Sequence, residues 1–237
     1  VTLEDPVEYQ IPGVNKVQIN PVAGLTFASG LRSFLRQDPN IIMVGEIRDS
    51  ETAGLAIQAA LTGHLVFSTL HTSSSAGALP RLLDMGAETF LLASSINAVV
   101  AQRVVRKICD HCKEDYDPPE IVVQNIKTVL GNLANQATEK KLDPAESKDV
   151  TELSENKKFK LYKGKGCDQC GDSGYRGRMG VYEVLNITEK IGKLILERSP
   201  SNNIEKQAID DGMITMKQDG YLKAMEGFTT VEEVLRV

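Results

Sequence analysis

Asn40-Ile41-Ile42-Met43-Val44-Gly45-Glu46-Ile47-Arg48-Asp49 is the stretch that decides the fold of this chain. Four apolar residues follow Pro39 and lead directly into a glycine and a carboxylate. A short apolar run between turn residues predicts a strand buried on both faces, in a parallel sheet covered by helices. Ligands of such sheets bind at the carboxyl ends of the strands. We therefore expect Glu46 to lie at a ligand-binding edge.

Two further stretches flank this motif. Thr2-Leu3-Glu4-Asp5-Pro6-Val7-Glu8 precedes it, and Thr62-Gly63-His64-Leu65-Val66-Phe67-Ser68-Thr69-Leu70-His71-Thr72 follows it. In this order they resemble the aspartate box and the histidine box of the secretion ATPases that drive type II secretion and type IV pilus assembly. The central stretch, preceded by Arg36-Gln37-Asp38-Pro39, resembles the second nucleotide motif of that family. Many P-loop ATPases have Asp where this chain has Gly45.

The resemblance implies an α/β fold, an incomplete RecA-like P-loop NTPase core with an inserted four-cysteine zinc module and a C-terminal helical subdomain. The expected segments are residues 1–108 for the core, completed by a strand at 178–186. Residues 109–177 would form the zinc insert, and residues 187–237 the helical subdomain.

The same resemblance implies a cytoplasmic motor that hydrolyses ATP with Mg²⁺ as a homo-hexamer. It is expected to dock on an inner-membrane platform protein, to reach the membrane only through such partners, and to bind no nucleic acid. The phosphate-binding loop Gly-x-x-x-x-Gly-Lys-Ser/Thr does not occur, since the only Gly-Lys pairs, at 164–165 and 192–193, lack the flanking residues. We therefore expect the loop to lie upstream in a longer ATPase, and this chain alone to be inactive.

Composition bears on a second hypothesis, a zinc-ribbon module that binds nucleic acid or protein without ATPase activity. Lys107, Lys113, Arg176 and Arg178 flank the cysteines. A formal net charge of −5 and few nearby aromatic side chains for base stacking argue against nucleic acid. No run of 18 apolar residues exists, so no membrane-spanning helix is predicted.

Carboxylates of the first box are candidates for chemistry at the nucleotide. Glu4 would act in catalysis by orienting water or contacting magnesium, and Glu46 is the other candidate. The resemblance adds Asp5 and Glu8 as cofactor-binding residues. For Glu4, Asp5 and Glu8 the alternative is a solvated acidic turn.

The histidine box supplies the next candidates. A predicted strand Leu65–Leu70 delivers His71 to the same edge as Glu46, where it would sense the nucleotide or its hydrolysis. The resemblance places His64, Thr69 and Arg48 among the cofactor-binding residues. A structural hydrogen-bonding role is the alternative for either histidine.

Two arginines lie four residues apart on a predicted helix that runs from Thr26 to Gln37. Arg32 and Arg36 share one face of that helix, where like charges repel slightly. They are candidates for catalysis, aimed at phosphate oxygens or at a neighbouring subunit. A hydrated helix face is the alternative.

Four cysteines form two knuckles, Cys109-x-x-Cys112 and Cys167-x-x-Cys170. Their thiolates predict one tetrahedral Zn²⁺ site, which is closed and therefore structural. His111 and Asp168 inside the knuckles are expected to be bystanders. A redox dithiol and unrelated free thiols are the alternatives.

Further elements follow from periodicity and capping residues. Helices are predicted at 51–61 with Ser50 as N-cap, at 76–85, at 88–101 and at 120–133, and strands at 102–108 and at 179–185, the latter rejoining the main sheet. The polar residues 135–158 are expected to be mobile. In the tail, Thr188 opens a helix, three capping boxes are predicted, and Gly212 and Gly227 act as stops. The boxes pair Asn202 with Glu205, Thr215 with Gln218, and Thr230 with Glu233.

Overall fold

The computed structural model describes residues 1–131, 133 and 160–237. Two units follow from packing: residues 1–100 with 184–213, and residues 101–183 with 214–237. Their borders differ from the three predicted segments, which stay a prediction. The predicted mobile stretch at 135–158 lies outside the described residues.

The strands with described bounds are β1 (Thr2–Glu4), β2 (Lys16–Gln18), β3 (Ile41–Val44), β4 (Leu65–Ser68), β5 (Ala98–Ile108), β6 (Lys113–Tyr116), β7 (Leu161–Gly164) and β8 (Tyr175–Asn186). The helices with described bounds are α1 (Phe27–Phe34), α2 (Ser50–Leu61), α3 (Ser75–Asp84), α4 (Thr89–Ser95), α5 (Glu120–Leu130), α6 (Glu189–Leu196), α7 (Ser201–Asp210), α8 (Met216–Met225) and α9 (Val231–Arg236). Across the described ranges, no helix combines the length and apolarity needed to cross a bilayer.

A four-stranded parallel sheet of order β2-β1-β3-β4 confirms the predicted α/β class. The register aligns Leu3 with Val44 and Ile42 with Val66. Leu3, Ile42 and Val44 are fully buried in the main core, as predicted for the central strand. The other face is less covered than predicted, because Ile41 at the start of β3 is 50% exposed.

Helix ends in the first unit follow side-chain capping. Thr26 caps α1 as predicted, exchanging hydrogen bonds with Ser29 in a capping box. The predicted N-cap of α2, Ser50, is wrong, because Asp49 takes that place and accepts hydrogen bonds from the amide and hydroxyl of Thr52. A carboxylate is favoured there over a hydroxyl since its charge complements the helix dipole.

The predicted strand at 102–108 lies within β5, but two other predictions that involve the long strands β5 and β8 are wrong. The second helix predicted at 88–101 ends at Ser95, and the chain is a strand from Ala98 because it pairs with β8. The strand at 178–186 was expected to complete the parallel sheet. Instead β8 pairs with β5 in a separate two-stranded sheet.

The second unit combines an antiparallel pair of strands with helices. β6 and β7 pair from Lys113 with Gly164 to Tyr116 with Leu161. Its core joins residues of α5, β7, α8 and α9: Ile126, Leu130, Leu161, Tyr221, Ala224, Val231 and Val234. The predicted tail is thus split, because α6 and α7 contribute to the core of the first unit.

The tail caps are mostly as predicted. Thr188 caps α6, Thr215 and Gln218 form a capping box, and Thr230 caps α9. The Asn202 box is wrong, since the N-cap of α7 is Pro200, two residues earlier, and the helix begins at Ser201.

Candidate functional site

The first unit brings three candidate residues to one edge of the parallel sheet. β1 ends at Glu4, β3 ends two residues before Glu46, and β4 ends three residues before His71. The Gly45 amide donates to the Leu3 carbonyl at 2.7 Å. A Cβ on Gly45 would lie 3.3 Å from the Glu4 Cα, so glycine lets the two strand ends approach closely.

Glu46 is held by two partners on opposite oxygens. Arg48 Nη2 lies 2.6 Å from Oε1, and His71 Nε2 lies 3.0 Å from Oε2. The Glu46 side chain is 12% exposed, whereas His71 is 84% exposed. The hydrogen bond from Arg48, aided by His71, outweighs partial burial and lowers the pKa of Glu46. Glu46 is therefore an ionised carboxylate whose partners can be reached from solvent.

Glu4 is more deeply placed than Glu46 and has a partner that sequence reasoning missed. Lys16 Nζ lies 2.8 Å from Glu4 Oε1, and the Thr2 hydroxyl donates to the same oxygen at 2.6 Å. These hydrogen bonds, with a further one from the Glu8 amide, lower the pKa of Glu4 against the effect of burial. The alternation of side chains along β1 could have indicated the contact with Thr2, because it places Thr2 and Glu4 on the same face.

The remaining acidic residues of this box are peripheral. Asp5 and the Glu8 side chain are exposed. Glu46, and more weakly Asp5, raise the pKa of Arg48, so Asp5 contributes charge to the same edge.

Two predicted cofactor-binding residues make backbone contacts. The Thr69 hydroxyl donates to the Gly45 carbonyl at 2.6 Å, which ties the two strand ends together. His64 Nδ1 lies 3.0 Å from the Ala59 carbonyl and 3.2 Å from Thr62 Oγ1. His64 precedes β4, at the opposite end from His71, so the structure does not bring the two histidines together.

Arg32 and Arg36 make different contacts and do not act as a pair in this structure. Arg32 in α1 forms an ion pair with Glu51 in α2. Arg36 lies beyond the end of α1, where its amide donates to the Ser33 carbonyl. In this structure Arg32 therefore links two helices.

Four thiols converge in the second unit. Their sulfur atoms lie within 4.8 Å of one another, with 3.9 Å for Cys109–Cys167, 3.9 Å for Cys112–Cys170 and 3.7 Å for Cys167–Cys170. A tetrahedron of zinc–sulfur bonds of about 2.3 Å has edges of about 3.8 Å. The donor set and its spacing therefore fit one zinc ion.

The backbone around the thiols supports this geometry. The amides of Cys167 and Gly174 donate to Cys170 Sγ at 3.3 Å. Although desolvation works in the other direction, these donors lower the pKa of Cys170 to about 7. Burial raises the pKa of Cys112 to about 12, a cost that a bound cation would remove.

Glycines allow the two knuckles to approach. The Cys109 amide donates to the Gly174 carbonyl at 2.9 Å, and a Cβ on Gly164 would lie 2.1 Å from that oxygen. Any side chain at Gly164 would push the two segments apart.

Comparison with known proteins gives relatives over the whole chain. The chain is 47% identical over 234 residues to the type IV pilus assembly ATPase PilB of Thermus thermophilus, covering 99% of this chain and 24% of that protein. It is 46% identical to PilB of Pseudomonas aeruginosa and 45% identical to the type II secretion system protein E of the same organism. Those matches cover all of this chain and 38% and 42% of the relatives, so the chain spans less than half of each.

Solved structures agree on the fold. The pilus retraction motor PilT with bound ADP matches with a TM-score of 0.61 and 26% identity, over 99% of this chain and 51% of that one. The ATPase DotB of Legionella pneumophila matches in fold with a TM-score of 0.60 and 22% identity, over 99% and 50%. The family described as "Type II/IV secretion system protein" matches residues 1–236. The chain therefore belongs to the type II/IV secretion system protein family.

Proposed function

We propose that this chain is part of an ATP-hydrolysing motor that powers type IV pilus assembly or type II protein secretion. The observation that carries the proposal is the pair of carboxylates at one sheet edge. Glu46 is ionised and reachable through its partners, and Glu4 is fixed at the end of the neighbouring strand β1. Family membership and the names of the relatives point to the same activity.

Each residue at this edge has its own role in the proposed reaction. ATP-bound Mg²⁺ supplies charge neutralisation at the phosphates. Glu46 orients the metal or the attacking water, and Glu4 contributes a second fixed carboxylate. His71 and Arg48 hold opposite oxygens of Glu46. A group that binds Glu46 therefore competes with them for these oxygens, and its arrival changes their contacts.

A phosphate-binding loop has to come from outside the 237 residues. The chain has no Gly-x-x-x-x-Gly-Lys-Ser/Thr pattern and spans 24–42% of the three relatives compared. Such a loop supplies the backbone amides and the lysine that hold the β- and γ-phosphates. We place it in a longer protein that contains this chain.

The assembly follows from the same proposal. The motor is a cytoplasmic homo-hexamer that docks on an inner-membrane platform protein and meets the membrane only there. The second unit holds one structural zinc through its four thiolates, and this metal takes no part in the chemistry because a four-thiolate site has no open position.

Glu46→Gln in the longer protein tests the proposal. Turnover of ATP is expected to fall at least about 100-fold while ATP binding is retained, since the change removes a charge and keeps the size. Glu189→Gln, at an exposed carboxylate in the first turn of α6, is the matched control. Normal turnover by Glu46→Gln, or no ATPase activity in the unaltered protein, would contradict the proposal.

A further inference from the structure

Lys16 is buried in a way that lysine rarely is. Its side chain is 7% exposed, and the Glu4 side chain with which it pairs is 9% exposed. Removing a lysine and a carboxylate from water is costly unless they pair closely, and an N–O distance of 2.8 Å meets that requirement.

The register of the sheet explains how the contact forms. Lys16 in β2 lies opposite Thr2 in β1, and Glu4 lies two residues further along the same face. The ammonium group reaches along the face to Glu4 Oε1, which also accepts the Thr2 hydroxyl. The Glu4 carboxylate is thus fixed by both neighbours.

The position of the pair matters more than its strength. A buried ion pair adds little stability compared with an apolar pair of the same volume. This one lies at the last residue of β1, where the Glu4 backbone adjoins Gly45 and hence the strand end that bears Glu46. A structural pair placed elsewhere in the sheet would stabilise β1 and β2 equally well.

We infer that Lys16 is a positioning residue, which fixes the Glu4 carboxylate in the orientation needed at the nucleotide-binding edge. The inference rests on the proposed ATPase function. Lys16 contributes through Glu4 and does not itself contact the nucleotide.

Lys16→Met in the longer protein is the direct test, measured by kcat and KM for ATP. Loss of orientation is expected to lower kcat by about 10- to 100-fold and to leave KM within about twofold, since phosphate contacts are unchanged. Lys16→Arg, which keeps a cation within reach of Glu4, is expected to recover most of kcat. Lys190→Met is the matched control, because Lys190 pairs with Asp211 at the same 2.8 Å on the surface of α6.

A double variant covers the case in which Lys16→Met does not fold because Glu4 is left unpaired. Lys16→Met with Glu4→Gln has no unpaired charge, and its kcat is expected to equal that of Glu4→Gln alone. A further drop in the double variant, or an unchanged kcat in folded Lys16→Met, would overturn the inference.

Urea unfolding of this 237-residue chain separates the possible failures. Coupling between Lys16→Met and Glu4→Gln in the free energy of unfolding is expected whether or not the longer protein is an ATPase. Coupling without any effect on kcat assigns the pair a purely structural role and overturns the inference. Absence of turnover in the unaltered longer protein refutes the proposed function instead, while absence of coupling refutes the pair itself.

Discussion

Replacing Cys167 with serine is expected to release the metal from the second unit and to unfold that unit, while the parallel sheet stays folded. Cys167 Sγ lies 3.9 Å from Cys109 and 3.7 Å from Cys170, so its loss removes one of four ligands. The strand that enters the site is also hydrogen-bonded to the turn before α9, from the Ile108 amide to the Phe228 carbonyl at 2.9 Å. Unfolding at the cysteines therefore extends to α8 and α9.

The magnitude follows from the loop that the metal closes. Each facing pair of cysteines is separated by 58 residues. Cross-linking such a loop removes about 4 kcal/mol of chain entropy from the unfolded state. Structural zinc is worth roughly 10–16 kcal/mol in small peptides, so about 4 kcal/mol is a lower bound for the loss. Because whole domains are stable by only about 5–15 kcal/mol, the second unit loses most of its stability.

Tyrosine fluorescence is a suitable assay. The chain has no tryptophan and six tyrosines, and all except Tyr9 lie in the second unit. Urea unfolding followed by this signal should shift to lower urea in Cys167→Ser or in chain treated with a chelator. Circular dichroism should retain a second transition from the first unit, and elemental analysis should give about one zinc per native chain.

A neighbouring substitution is the control. Asp168→Asn changes a residue inside the same knuckle that contributes no thiolate, so it should keep the metal and the urea midpoint. A native chain without metal, or a Cys167→Ser chain whose tyrosine transition is unchanged, would refute the reasoning.

Three further predictions concern catalysis and acid stability. The purified chain alone should bind ATP weakly and show negligible turnover, because it has no phosphate-binding loop; robust hydrolysis would be decisive against this. In the longer protein, His71→Ala should reduce kcat and leave the urea midpoint unchanged, since His71 is exposed and contacts Glu46; a shifted midpoint with normal kcat would mark it as structural. Glu233 accepts hydrogen bonds from the guanidinium and the amide of Arg106, and these lower its pKa. Its contribution to the free energy of unfolding is therefore complete above the ordinary pKa of a glutamate and is lost as pH falls through the lowered pKa. Glu233→Ala should therefore cost about 2 kcal/mol at pH 7 and less at pH 3 in urea unfolding of the second unit, whereas an equal cost at both pH values would exclude this origin.

Local signals made much of the fold predictable. The run Ile41–Val44 between turn residues is a strand, and Thr26, Thr188 and Thr215 cap helices, because each depends on residues within a few positions. The cysteine cluster was predictable for a different reason, since four thiols with knuckle spacing have few other uses.

Long-range pairing accounts for most of the errors outside the helix caps. The valine-rich residues from Ala98 onward suit a buried helix or a strand equally well, and only the partner β8 makes them strand. Lys16 was missed because its role depends on the register between β1 and β2, which short strands do not encode locally. Pairing also explains why the predicted capping box of Thr230 and Glu233 is wrong in its second half, because the Glu233 carboxylate accepts a hydrogen bond from Arg106 instead.

The outer face and free edge of β4 affect how this chain behaves in isolation. Among the described residues β4 has one strand neighbour, β3, and Leu65 and Phe67 are each about half exposed beside Ile41. An uncovered edge strand with apolar side chains is a template for pairing with another polypeptide. The isolated chain is therefore expected to aggregate as its concentration rises. A charged residue in place of the exposed Phe67 should reduce that aggregation, whereas a charge in the core would not protect the edge.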